Sequence, residues 1–289
     1  MTWLPALDPA HVSELVRAAL AEDAPWGDLT GGAFVPPSAI ARAQLTARID
    51  GTLAGADVAT EAFAQAGATL TWHTHDGARF RAGEVLAETS GPARAVLRAE
   101  RVALNFLQRL CGTATLTAAF VDAVAGTGVR IADTRKTTPG LRALEKHAVL
   151  AGGGSNHRFS LSDAVMVKDN HLAVAREAGL GVTEAIRAAK QRLGHTVHVE
   201  VEVDRLEQIE PVLAAGVDTI MLDNFSLADL RTGVELVAGR AIVEASGTVR
   251  LETVRAIAGT GVDVISVGAL THSAPALDLG LDVHVAGGV

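Results

Sequence analysis

Between Arg130 and His171 the chain places seven Lys and Arg residues (Arg130, Arg135, Lys136, Arg142, Lys146, Arg158, Lys168) against four acids (Asp133, Glu145, Asp163, Asp169), a net of +3. The whole chain has 25 basic and 33 acidic residues, a formal net charge of -8. A local cationic excess on an acidic protein suits a pocket for a small polyanion, whereas a nucleic-acid surface would be basic along a whole face. Arg135 and Lys136 follow the apolar Ile131-Ala132, and Lys168 follows Ala164-Val165-Met166-Val167. Both sets therefore fall where a buried parallel strand would end, which is where α/β sheets and βα barrels put ligand groups. Arg142 and Lys146 lie in a helical stretch and read as ordinary surface cations. Arg158 adjoins the turn Gly152 to Gly154, which fits neither the dinucleotide fingerprint nor the Walker loop.

The acids show the complementary pattern. In VHVEVEV, valines 197, 199, 201 and 203 share one face, and His198, Glu200 and Glu202 share the other. With the valines against surrounding helices, two carboxylates point inward. Buried like charges are costly unless cations or donors answer them, a task open to Arg135, Lys136 and Lys168. Asp223 ends TIMLD in the same manner. A structural ion-pair network is the alternative reading of these acids. Two later strands end in small residues, at Ser246, Gly247 and Thr248 and at Gly268 and Ala269. Such loops let backbone N–H groups approach a phosphate.

The elements that must position these groups are readable from periodicity. Short apolar strands are expected at 129–133, 164–168, 197–203, 219–223, 241–245 and 262–267. Amphipathic helices are expected near 139–150, 183–193, 205–215, 227–237 and 250–258. Repeated βα units mean parallel strands with right-handed crossovers, in a barrel or a doubly wound sheet. Upstream, Asp8-Pro9 opens a helix with Asp8 as N-cap. EDAPWGDLTGG reads as loop, with Asp28 and Thr30 as turn formers. Residues 40–91 carry period-two runs, glycine turns and a helix at Val58 to Gln65, a separate α+β unit. His73 and His75 alternate in one of these runs and read as exposed strand histidines, not a metal pair. A helix after Pro92 offers Val96, Leu97, Leu104 and Leu107 as core, and a last period-two run spans Leu279 to Val285.

A chain of 289 residues with 48% hydrophobic and 20% charged residues is globular and of about two-domain size. The single cysteine, Cys111, excludes an intramolecular disulfide and fits a reducing compartment. No signal peptide is indicated, and no apolar run reaches the roughly 18 residues of a spanning helix. A cytoplasmic protein without membrane or nucleic-acid partners is expected.

Three ordered segments, DTRKTTPGLR, KHAVLAGGGSNHR and LSDAVMVKDNH, resemble the signature of the quinolinate phosphoribosyltransferase family. The resemblance implies an incomplete parallel α/β barrel of about six strands over 113–272. An N-terminal α+β sandwich domain over 1–112 would be joined by the tail 273–289. It implies transfer of a phosphoribosyl group from phosphoribosyl pyrophosphate to quinolinate with loss of diphosphate and carbon dioxide, giving nicotinate mononucleotide, a precursor of NAD. Arg101, Arg135, His157, Arg158 and Lys168 would bind the two substrate carboxylates, with Lys136 between the substrates. Glu202 and Asp223 match the family's acidic pair, which contacts the ribose and the metal-bound diphosphate. Fixed carboxylates there stabilise an oxocarbenium-like ribose. Mg²⁺ would be carried in by the diphosphate.

Ser246, Gly247, Thr248, Gly268 and Ala269 would hold the 5-phosphate, and Thr248 stands where the family commonly has a second glycine. Arg101, in AERVALNFLQRL, would be donated across a head-to-tail homodimer, with a hexamer of three dimers a further option. A related pyrophosphorylase-like protein encoded with molybdate transporters keeps the TRKT and GGG..HR features, but the KDNH at 168–171 favours the quinolinate enzyme. Two other chemistries remain open: a Schiff-base aldolase using Lys168, and a binder of pyridine dicarboxylates without catalysis.

Overall fold

The computed structural model of the chain describes residues 4–177 and 179–285. The first elements are α1 (Pro9–Asp23), α2 (Leu29–Phe34), β1 (Ile40–Ala47), β2 (Gly51–Thr52), α3 (Ala56–Ala66), β3 (Thr69–Trp72), β4 (Arg79–Phe80), β5 (Val85–Pro92) and α4 (Ala93–Ala123). Next come β6 (Arg130–Ala132), α5 (Arg142–Ala151), β7 (Val165–Val167), α6 (Asp169–Glu177), α7 (Val182–Lys190), β8 (Val199–Val203) and α8 (Ile209–Leu213). The remainder are β9 (Thr219–Asp223), α9 (Leu227–Val237), β10 (Ile242–Ser246), α10 (Leu251–Ala258), β11 (Val264–Ser266), α11 (Ala269–His272) and β12 (Leu279–Val285). These elements form two compact units. One holds the chain up to Ala118, Thr138–Gly153, and the chain from Leu270 onward; the other holds Ala119–Thr137 and Gly154–Ala269. Among the described residues no helix is long and apolar enough to cross a membrane.

In the first unit, α1 starts at its expected cap: Asp8 accepts from the Ala10 N–H at 3.0 Å, with Pro9 in the first turn. Val12, Val16 and Leu20 recur at helical spacing and join Val58, Ala59, Ala62 and Phe63 of α3 in one core. EDAPWGDLTGG is more than a loop. Asp28 caps α2, accepting from the Gly31 N–H at 2.9 Å, and this cap supports a short helix whose two glycines favour it little. The antiparallel sheet has the order β12-β1-β5-β3. β1 buries alternate residues Ala41, Ala43, Leu45 and Ala47. The final period-two run pairs with it, from Ala41 opposite Val285 to Ala47 opposite Leu279. His73 and His75 lie just beyond β3 and are exposed.

Two expectations in this unit fail. Leu97 is 38% exposed while Val96 is buried, because neighbours on a helix point about 100° apart and only one can face the core. Lys146 is 1% exposed. α5, read as an ordinary amphipathic helix, buries Leu144, Glu145, Lys146, His147, Ala148 and Val149 in succession. Its His147 Nε2 lies 2.8 Å from Asp76, which also accepts from the N–H groups of Gly55 and Ala56 at 2.9 and 3.1 Å. Burial pushes the Asp76 carboxyl up, but these hydrogen bonds outweigh it and hold the group below the usual aspartate range. The helix α4 runs on without a break through residue 112 to Ala123.

The second unit is built on a parallel sheet of order β6-β11-β10-β9-β8-β7. A doubly wound sheet reverses its order at a switch point. Here the strands run in sequence from β7 to β11, and β6 follows β11, as in a barrel. β6 and β7 remain the two edges, and among the described residues only a single bridge, Ala132 with Ser155, extends the β6 edge. The result is the incomplete six-stranded α/β barrel that the resemblance implied. The strands sit within a residue or two of their expected bounds. α6 was not anticipated, and the helix expected at 205–215 is a 3-10 turn at Leu206–Gln208 followed by the short α8.

Candidate functional site

All six parallel strands deliver side chains to one cavity of about 350 Å³ at their C-terminal ends. Thr134, Arg135 and Lys136 follow β6, Lys168 follows β7, Glu202 and Asp223 come from β8 and β9, and Ser246 and Ser266 end β10 and β11. His157 and Arg158 join them from the segment leading to β7. Strand alternation explains the set: Met166 and Lys168, Glu200 and Glu202, and Met221 and Asp223 are each two residues apart and share the inner face.

Cations dominate part of the lining. The Arg135 side chain has no carboxylate partner among the described residues. Arg158 is anchored by donating from Nη1 to the Ala164 carbonyl at 2.9 Å. Its guanidinium is held below the ordinary arginine value, first by burial and then by Arg135, with Glu200 and Asp163 pulling the other way. It stays a cation, and two cations held this close favour an anion between them. Lys168 donates from Nζ to Glu202. A nucleophilic lysine needs a free amine, so this contact speaks against Schiff-base chemistry. Asp223 accepts from Asn224 Nδ2 at 2.7 Å, and Asn224 itself has a left-handed φ of 58.

Beneath this lining are two buried acids, Glu200 and Glu244, with His157. Nε2 of His157 is 2.9 Å from Glu200 and 3.7 Å from Glu244. Burial, and next the charge of Glu200, push Glu244 up to about 7, with His157 and Ser266 opposing the rise. The sequence had offered Arg135, Lys136 and Lys168 as the answer to Glu200 and Glu202. Lys168 does answer Glu202, whereas Glu200 meets an imidazole.

The cavity thus gathers Arg135, Lys136, His157, Arg158, Lys168, Glu202, Asp223 and Ser246. Gly247 and Thr248 are exposed just beyond β10, Gly268 and Ala269 are half-buried after β11, and Arg101 is exposed on α4 in the first unit. None of these five lines the cavity. Gly247 has φ +130, and a Cβ there would come within 2.5 Å of Asn224 Oδ1, so only glycine fits. Sequence reasoning missed Thr134, Ser266, Asn224 and Glu244. Glu244 had a signal: an acid in the middle of IVEAS, a strand otherwise fit for full burial.

Family comparison agrees with this geometry over nearly the whole chain. The quinolinate phosphoribosyl transferase N-terminal domain matches residues 28–111 and the C-terminal domain residues 113–282. A probable nicotinate-nucleotide pyrophosphorylase (carboxylating) of Bacillus subtilis is 43% identical over 275 residues, covering 94% of this chain and 93% of the relative. The nicotinate-nucleotide pyrophosphorylase (carboxylating) of Mycobacterium leprae is 43% identical over 278 residues, covering 93% and 96%. The solved nicotinate-nucleotide pyrophosphorylase from Francisella tularensis superposes with a TM-score of 0.92 at 38% identity, covering 98% of this chain and all (100%) of that one. Barrel, cavity and sequence therefore agree: the chain belongs to the quinolinate phosphoribosyltransferase family.

Proposed function

We propose that this protein transfers the phosphoribosyl group of phosphoribosyl pyrophosphate to quinolinate with decarboxylation, giving nicotinate mononucleotide, diphosphate and carbon dioxide in de novo NAD biosynthesis. The observation that carries this reading is the shared cavity, where Arg135, Arg158 and Lys168 line the same space as Glu202 and Asp223. A pyridine with two carboxylates suits guanidinium forks, which grip carboxylates through paired hydrogen bonds. Arg135, Arg158, His157 and Lys168 take these carboxylates. Arg101 is added from a second subunit of a homodimer, three of which can build a hexamer.

In the reaction the pyridine nitrogen forms a bond to the anomeric carbon while the bond from that carbon to diphosphate breaks, its electron pair leaving with the diphosphate. Glu202 and Asp223 stabilise the positive charge that develops on the ribose. Lys136, between the substrates, offsets charge on the departing group. The ring nitrogen is now cationic. The adjacent ring carbon–carboxylate bond breaks, carbon dioxide leaves, and the electron pair left on carbon takes up a proton. Ser246, Gly247, Thr248, Gly268 and Ala269 surround the 5-phosphate.

Mg²⁺ belongs to the diphosphate substrate and is chelated by its oxygens and water. The engagement of Glu202 by Lys168 and of Asp223 by Asn224 fits a site that offers no cage of its own. A buried single cysteine suits a reducing cytoplasm.

Incubation of the protein with quinolinate, phosphoribosyl pyrophosphate and Mg²⁺ tests the reading. Equal amounts of mononucleotide and carbon dioxide are expected. Binding of quinolinate without carbon dioxide release would leave only a dicarboxylate binder.

A further inference from the structure

Glu200 and Glu244 have no part in the steps above, yet each is 4% exposed at the base of the reactive cavity. One ligand-type atom from each, together with one from His157, lie within 4.8 Å of one another. Two ionised carboxylates so placed, away from water, repel strongly, so the cluster must hold either a proton or a metal ion.

The histidine decides between them. The Arg158 N–H donates to His157 Nδ1 at 2.7 Å. Nδ1 therefore keeps its lone pair, and the single proton of a neutral imidazole is on Nε2, within reach of Glu200. A metal at Nε2 would need the lone pair there and would leave Nδ1–H as a donor. That is the opposite of the arrangement found. The main chain is held on both sides of the ring: the His157 N–H donates to Asp133 at 2.8 Å, and the ring accepts from the Arg158 N–H.

We propose that Glu200 and Glu244 form a carboxylate–carboxylic acid pair that fixes His157 as the neutral Nε2–H tautomer, and through it the main chain that aims Arg158 at the substrate's carboxylates. Both acids are positioning residues, and the identity of the substrate rests on the function proposed above. The titration of Glu244 at about 7 agrees with one proton held in the pair. The groups facing Glu244 are Glu200 from β8, His157 from the loop and Ser266 from β11, while β9 presents Met221 in register with it. Above that pH the pair's proton is lost to solvent, and two buried carboxylates repel each other beside His157. The acids then no longer hold the imidazole in place, and Arg158 loses its aim.

The test reads ring and turnover separately. Nitrogen NMR of histidine-labelled protein without substrates, at about pH 6 where Glu244 still holds its proton, is expected to show His157 neutral, bare at Nδ1 and protonated at Nε2. An Nδ1–H tautomer overturns the proposal whether or not the protein uses quinolinate. At the same pH Glu244→Leu is expected to raise the quinolinate KM about tenfold with a smaller fall in kcat. Glu244→Gln keeps a neutral hydrogen-bonding group. It is expected to restore that KM and to abolish the decline in kcat/KM that the wild type shows as pH rises through about 7. An unchanged alkaline decline in Glu244→Gln overturns the proposal. So does a stoichiometric divalent metal that survives dialysis against chelator in the wild type and is missing from Glu244→Gln.

Discussion

Glu200 and Glu202 stand two residues apart on one strand and face the same barrel interior, yet they meet opposite partners. Glu200 faces the His157 imidazole at 2.9 Å, and Glu202 receives the Lys168 ammonium. On the function proposed above, the deeper acid acts on the site's shape and the shallower one on charge in the reaction. Glu202→Gln removes a fixed negative charge from the developing ribose cation and a partner from Lys168. Its kcat is expected to fall by about 100- to 1000-fold with both KM values changed far less. Steady-state kinetics with each substrate varied in turn will check this. A variant with unchanged kcat would remove Glu202 from the chemistry.

Arg135 offers the complementary case. Among the described residues its guanidinium has no carboxylate of its own, so its binding capacity is available to the substrate. Arg135→Ala is expected to lose turnover at ordinary substrate levels, through a quinolinate KM about 10- to 100-fold higher, the scale of a lost charged hydrogen bond or two. Lys cannot reproduce the planar fork, so Arg135→Lys should recover little. Lys168→Ala should also abolish turnover. In each variant the melting temperature should stay near that of wild type, since neither side chain packs in the core.

Much of this site was legible in the sequence because parallel strands are short, apolar and end in functional residues. TIMLD and its following helix at 227–237 have the same bounds in the structure. Less legible were groups whose roles depend on burial. Lys146 looked like a surface cation because helical periodicity says nothing about a helix enclosed on several sides. Glu244 was passed over because its partners, Glu200 and His157, lie far away in sequence and meet only when the barrel closes around them. Asn224 was passed over because Gly247, whose chain approaches it closely, lies far away in sequence.

That approach makes a prediction of its own. Gly247→Ala puts a methyl group 2.5 Å from Asn224 Oδ1 and 3.2 Å from its Cα, at a φ of +130 that alanine resists. Backbone strain of this kind costs about 1–3 kcal/mol. Part of it will be relieved by displacing Asn224 from Asp223, to which it donates at 2.7 Å. The expected result is a higher KM for phosphoribosyl pyrophosphate with the quinolinate KM little changed. Equal changes in both would show that the loop is not confined to the phosphate end.

Stability should respond to acid through Asp76. Its carboxyl is held below the usual aspartate range because the hydrogen bonds from His147, Gly55 and Ala56 together outweigh burial. A depressed acid contributes stability above its unfolded value, and this contribution is lost as pH falls through the folded one. Asp76→Ala strips three buried partners at once and is expected to lower stability by about 3 kcal/mol near neutral pH. The gap from wild type should narrow on acidification below about 4, as followed by denaturant melts at stepped pH. A constant gap would mean that packing, not charge, accounts for the loss.

Glu244 works in the opposite sense. Its folded value of about 7 lies above the ordinary glutamate value of 4.5, so between these limits the folded state binds a proton that the unfolded state has released. Stability then falls as pH rises across that window, and the contribution is fully present only below the lower limit. Glu244→Gln cannot titrate. Its melting temperature relative to wild type should therefore climb from about pH 4.5 to about pH 7 and level off above, where the wild type keeps two buried charges side by side. A difference that does not vary with pH would place the proton of the buried pair elsewhere. The alkaline decline in turnover would then need another titrating group.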